Sequence, residues 1–141
     1  MTPDEIRNIS KNVRKNILTA ALNAGSASAH IGGALSSVEI VSTLFSKYIN
    51  FPKNNWQDRD RFILSKGHAC LVLYSILYEK KIINEKEFLS FEKNNSYLPG
   101  HPVINKSKGI EFSNGSLGLG LSLGIGSALA IKKKKKNNKV Y

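Results

Sequence analysis

Between Thr2 and about Gly25, the apolar positions Ile6, Ile9, Val13, Ile17 and Leu18 recur at the spacing of one helix face. Thr2 is placed to cap that helix, with Pro3 at its first position and Glu5 closing a capping box. A stretch of small residues, 25–34, follows and carries His30. Ser36 or Ser37 then caps a second predicted helix whose apolar face uses Ile40, Val41, Leu44, Phe45 and Tyr48.

Residues 50–60 form a polar loop around Pro52, Asn54, Asn55 and Trp56. Arg61-Phe62-Ile63-Leu64 reads as a short strand, closed by Ser65-Lys66-Gly67-His68. A third helix is predicted from about Ala69 to Lys80, and Asn84 with Glu87 starts a fourth that reaches about Lys93. The segment 94–114 has little periodicity, a length without regular structure that is more typical of functional segments than of ordinary connections. A fifth helix is expected from about Leu117 to Lys134, and Lys139-Val140-Tyr141 resembles the opening of a strand. Helices alternating with short strands predict an α/β class, mainly helices around an incomplete parallel sheet, with the chain ending inside the fold.

The 141 residues give room for one domain, in which about two-thirds of the surface could be buried on folding. The apolar runs fall far short of a membrane span, and the N-terminus has no signal-peptide pattern. A single cysteine, Cys70, rules out an internal disulfide and fits a reducing cytoplasm; it reads as a small core residue. The net charge of +11 raises the question of nucleic acid. Yet of 21 basic residues only Arg7, Arg14, Arg59 and Arg61 carry the guanidinium fork favoured for phosphate and bases, and the run 132–136 is all lysine. That run suits the solvated C-terminus of a helix, so no nucleic-acid partner is expected. Asp58 and Asp60 beside Arg59 read as local ion pairs.

All three histidines sit next to glycines, in breaks between the predicted elements: Ala29-His30-Ile31-Gly32-Gly33, Lys66-Gly67-His68-Ala69 and Pro99-Gly100-His101-Pro102. Glycine permits close backbone approach, and histidine is a ready proton carrier or donor near neutral pH. His30 could donate to a substrate hydroxyl or carbonyl, or simply bond a backbone carbonyl. His68 follows an apolar strand and precedes a helix, which suits either an anion contact or a plain strand-to-helix turn. His101 lies between two prolines, as an oriented substrate group or a rigid surface turn. The run 113–120 has the glycine content of a phosphate loop, without the lysine and hydroxyl order of a Walker A sequence and without dinucleotide-fingerprint spacing. Its glycines, with Gly124 and Gly126, also suit close helix packing.

In order along the chain, Ser28-Ala29-His30-Ile31-Gly32-Gly33-Ala34-Leu35-Ser36, Asp58-Arg59-Asp60-Arg61-Phe62-Ile63-Leu64-Ser65-Lys66-Gly67-His68, Leu98-Pro99-Gly100-His101-Pro102 and Asn114-Gly115-Ser116-Leu117-Gly118-Leu119-Gly120 resemble the N-terminal part of transketolase, most closely the type split into two polypeptides. The resemblance covers about Ile6 to Tyr141. It implies that residues 1–141 are the N-terminal part of a thiamine diphosphate-binding domain, incomplete at its C-terminus, of an enzyme that moves a two-carbon ketol unit between sugar phosphates. By that likeness His30 and His101 contact the reacting sugar and His68 the cofactor diphosphate, while Gly115, Ser116 and Leu117 border the aminopyrimidine. Ala29 and Ile31 depart from the family's Ser-Gly-His-Pro-Gly, and Leu119 stands where a polar residue is usual. The family's magnesium-binding Gly-Asp-Gly is expected beyond Tyr141, since Glu111 is the last acidic residue here. Further implied are a C-terminal transketolase subunit or domain as partner, a homo-oligomeric complete enzyme, and inactivity of this chain alone. The alternative is a non-catalytic remnant or partner subunit docking on an intact transketolase.

Overall fold

The structure, a computed structural model, describes residues 1–27, 29–52 and 54–141. Ser28, the first residue of the His30 motif, and Lys53 of the polar loop lie outside the described residues. Helix α1 spans Pro3–Ala24 and begins as its sequence requires. The Glu5 amide donates to Thr2 Oγ1 at 3.3 Å, and the Thr2 amide to Glu5 Oε2 at 2.6 Å. Gly25, with φ of 68°, ends it. Ser10, Val13, Ile17 and Ala20 form its buried stripe, whereas Leu18 stands exposed on the other side.

The predicted second helix is divided. The small-residue stretch folds into a short helix α2, Ile31–Leu35, and α3, Val38–Thr43, follows and widens into a π-turn over Leu44–Tyr48. Neither Ser36 nor Ser37 caps α3 through its side chain. Both hydroxyls instead donate back to the Gly33 carbonyl, at 3.0 and 3.1 Å, closing α2. Val41 and Phe45 are buried, while Ile40 and Tyr48 of the predicted apolar face are exposed.

A 3₁₀ turn, Gly67–Ala69, leads into α4, Cys70–Glu79, whose residues 70–77 are all buried. A helix apolar on every side must be surrounded, and α4 packs against α1, α2, α3 and α5. Lys81, with φ of 55°, turns the chain after it. Helix α5, Glu85–Phe88, has the expected capping box between Asn84 and Glu87. It stops short of Lys93 because Glu92 and Asn95 adopt positive φ, 57° and 65°, which no helix can continue through.

Among the described residues there is no extended β-ladder. The strand expected at residues 61–64 meets the chain end in one parallel bridge, Arg61 to Val140. The Arg61 amide donates to Lys139 O at 2.8 Å, Tyr141 N to Arg61 O at 2.8 Å, and Ile63 N to Tyr141 O at 2.9 Å.

Helix α6, Leu119–Lys133, covers this bridge. Of the four glycines read as packing contacts, Gly120 lies directly on Ser65: a Cβ there would sit 2.5 Å from Ser65 Cα. Gly124 makes ordinary contact with Ile63 and Val140, while Gly118 and Gly126 face open space. Gly120 is the only buried residue of α6, and Leu121, Ile125 and Leu129 stand exposed.

The acidic residues around Arg59 pair differently from the local scheme. Arg59, buried at 1% exposure, donates from Nε to Glu111 Oε1 at 3.0 Å. Asp60 instead accepts the backbone amides of Asn50 at 2.9 Å and Lys139 at 2.7 Å, and Asp58 accepts from the Asn55 side chain. Burial pushes the Arg59 guanidinium down from its ordinary range, and the Glu111 charge and hydrogen bond oppose that.

Candidate functional site

The three histidines come from three separate breaks and meet on one side of the molecule. His30 ends the segment before α2, His68 sits within the 3₁₀ turn before α4, and His101 lies in the long segment after α5. The ring centroids of His30 and His68 are 5.4 Å apart, and those of His30 and His101 are 5.7 Å apart. His30 and His101 are exposed and His68 is half-buried, so the imidazoles line an open surface rather than a sealed core.

Glycines make this approach possible at two points. A Cβ on Gly33 would lie 3.0 Å from His68 Cδ2, so α2 can lean on the His68 ring only without a side chain there. A Cβ on Gly67 would press on the Asn114 carbonyl, 2.8 Å from its carbon, so the loop after Ser113 can lie directly over the His68 turn.

That loop is stapled in place. Asn114 Nδ2 donates to Leu64 O at 3.0 Å, and the Asn114 amide to Pro102 O at 3.0 Å. The first bond ties the loop to the end of the 61–64 segment, the second to the Gly100-His101-Pro102 turn. Gly115 comes next, its Cβ position 3.8 Å from the His101 ring. Ser116 and Leu117 follow in the same loop and are exposed.

Helix α4 fixes the His101 turn from below. Tyr74 Oη donates to Pro99 O at 2.9 Å, and Cys70 Sγ bonds Gly100 O at 3.1 Å. Burial pushes the Cys70 thiol up to about 12, so it is neutral and serves as a support.

The structure thus brings His30, His68, His101 and Gly115 together, with Ser116 and Leu117 at the edge. Sequence reasoning assigned no role to Asn114 or Lys66. Asn114 is the staple, and an asparagine before a glycine in a loop was the available signal. Lys66 reaches back to Ser36, its Nζ donating to Oγ at 3.2 Å, and nothing in its local sequence announces that partner.

Chemically, the arrangement offers three imidazole donors on separate backbones beside a glycine loop, which suits the orientation of a polyhydroxylated or phosphorylated ligand. Asn114 Oδ1 is buried without a partner among the described residues and leaves one acceptor unspent in the loop. The glycine cradle and donor set fit an organic diphosphate. They do not fit a metal: among the described residues no group of three or more His, Cys, Asp or Glu side chains is disposed to hold one.

A family model for the thiamine diphosphate binding domain of transketolase matches residues 8–140. The chain belongs to the transketolase family. It is 39% identical over 118 residues to one of the separate subunits of apulose-4-phosphate transketolase from Actinobacillus succinogenes, covering 82% of this chain and 42% of that protein. Against a Streptococcus pyogenes transketolase it is 34% identical over 122 residues, covering 84% of this chain and 17% of the relative. The crystal structure of transketolase from Campylobacter jejuni superposes with a TM-score of 0.88 at 28% identity, over 100% of this chain and 23% of that one. The chain therefore spans less than half the length of these relatives. No helix among the described residues is long and apolar enough to cross a membrane.

Proposed function

We propose that residues 1–141 form the N-terminal part of a transketolase diphosphate-binding domain, contributing to thiamine diphosphate-dependent transfer of a two-carbon ketol unit between sugar phosphates. The observation that carries this reading is the convergence of His30, His68 and His101 beside Gly115, within 5.4 and 5.7 Å between rings. Similarity to one polypeptide of a split transketolase supports a second polypeptide, or a second domain, as partner.

When bound, thiamine diphosphate supplies the nucleophilic carbon for carbon–carbon bond exchange. His68 donates to the diphosphate, held at its turn by the close approach of Gly33 and Asn114. His30 and His101, both exposed, donate to hydroxyls of the sugar and orient it. Gly115, Ser116 and Leu117 form the wall against the pyrimidine ring, with exposed Leu117 giving it an apolar face. No step is routed through a metal, for which the described residues offer no ligand set.

The test is calorimetric titration of the chain with thiamine diphosphate, before and after His68→Ala. Saturable binding that weakens about tenfold in the variant supports the reading, the size expected for one lost charge-assisted hydrogen bond. Binding unaffected by His68→Ala overturns the assignment. Addition of a C-terminal transketolase polypeptide should then yield ketol transfer, while the chain alone yields none.

A further inference from the structure

A second concavity lies on the far side of the Arg61–Val140 bridge, and none of the three histidines lines it. It is a cleft of about 350 Å³ between the polar loop and the end of α6. Its charged walls are Arg61, Lys106, Lys134 and Lys136, without any carboxylate among its lining residues. Its floor is apolar, made by Ala130 and Ile131, and Trp56 closes one side.

Three features make this more than a patch of lysines. Cations converge on the indole, with Arg61 Cζ 5.3 Å and Lys106 Nζ 5.2 Å from the Trp56 ring centroid. Arg61 is already committed, donating to Trp56 O at 2.7 Å and Arg59 O at 2.6 Å, so it adds fixed charge and anchors the tryptophan backbone. The chain turns at Lys135, φ 53°, and Lys134 and Lys136 on either side both line the cleft. Among the described residues no carboxylate pairs with Lys106, Lys134 or Lys136. The run that reads as a solvated helix end therefore brings open ammonium donors to an apolar-floored cleft.

We infer that this cleft binds a small organic phosphate with a flat apolar body, of the size and chemistry of a nucleoside monophosphate. The phosphate lies among the ammonium groups, and the ring system covers Ala130, Ile131 and the indole edge. A volume of about 350 Å³ is that of a small-molecule site and too small for a polymer groove.

Trp56 is the only tryptophan in the chain, so its fluorescence reports on this cleft alone. The full chain would be titrated at low salt with adenosine monophosphate, adenosine and inorganic phosphate, with calorimetry in parallel. A saturable change with adenosine monophosphate is expected, with adenosine and inorganic phosphate each at least about tenfold weaker. The double variant Lys106→Gln/Lys136→Gln, checked by circular dichroism for an unchanged fold, should raise Kd about tenfold or more. No saturable change up to millimolar ligand overturns the inference. So does equal binding of inorganic phosphate, which would mark a diffuse basic surface, and so does affinity indifferent to the lysine changes. Loss of binding on His68→Ala instead would put the ligand in the histidine site, and likewise overturns it.

Discussion

Glu111→Leu removes the only carboxylate that meets two arginines in the interior. Glu111 Oε1 accepts from Arg59 at 3.0 Å through Nε and lies 2.8 Å from NH2, and its Oε2 lies 3.7 Å from Arg61 Nε. The Arg59 and Glu111 side chains are 1% and 3% exposed. Leucine therefore leaves a guanidinium in the interior with no counter-charge, held only by Lys106 O at 2.8 Å and the Phe51 ring at 4.6 Å. Breaking a buried pair from one side costs about 3–5 kcal/mol, against a total stability of about 5–15 kcal/mol for a domain of this kind. The burial that already pushes Arg59 down would then act without the carboxylate that opposes it. The assay is urea unfolding followed by far-ultraviolet circular dichroism, for wild type, Glu111→Leu, Arg59→Met and the double variant. Each single variant should lose about 3–5 kcal/mol, and the double variant should recover most of it, because no lone charge remains. A loss below about 0.5 kcal/mol in Glu111→Leu, within the range of ordinary surface changes, would refute the argument. Strict additivity in the double variant would refute it equally, since it would show that the two side chains are not energetically coupled.

Gly67→Ala should cost at least about 1–3 kcal/mol, because the added methyl meets the Asn114 backbone rather than a side chain that can swing away. Thermal unfolding measures this, and an unchanged Tm would show that the loop over His68 is not tightly seated. Cys70 should resist a thiol reagent such as dithionitrobenzoate near pH 8 in the native state and react at once in urea. Its folded value of about 12 lies above the unfolded thiol, so the associated stability is full below the unfolded pKa and is lost as pH rises toward 12. Rapid native labelling would contradict its burial against Gly100.

Elements written within a few neighbouring residues were legible without the fold. The capping boxes at Thr2–Glu5 and Asn84–Glu87 involve partners three positions apart, so sequence spacing is enough to specify them. The uninterrupted apolar run through residues 70–77 likewise demanded a surrounded helix. The order of four motifs was sufficient to name the family, because each combines a fixed glycine or proline with a chemically distinctive neighbour.

Pairings across long stretches of chain were decided by the tertiary structure. Arg59 stands beside two aspartates, yet pairs with Glu111, 52 residues away, because only that carboxylate is carried into the same buried pocket. Ser37 has the right type for a cap, but its hydroxyl finds the Gly33 carbonyl first. Periodicity identified α6 as apolar without saying what covers it, and in this structure most of that face stays open. The meeting of three imidazoles had the same origin. Sequence marked His30, His68 and His101 as unusual through their glycine neighbours. Which of them would share a surface depended on α2 leaning on His68, the Asn114 staple and the grip of Tyr74 on Pro99. Local rules act through adjacent backbone and carry no information about distant loops, whereas packing around α4 sets all three distances at once.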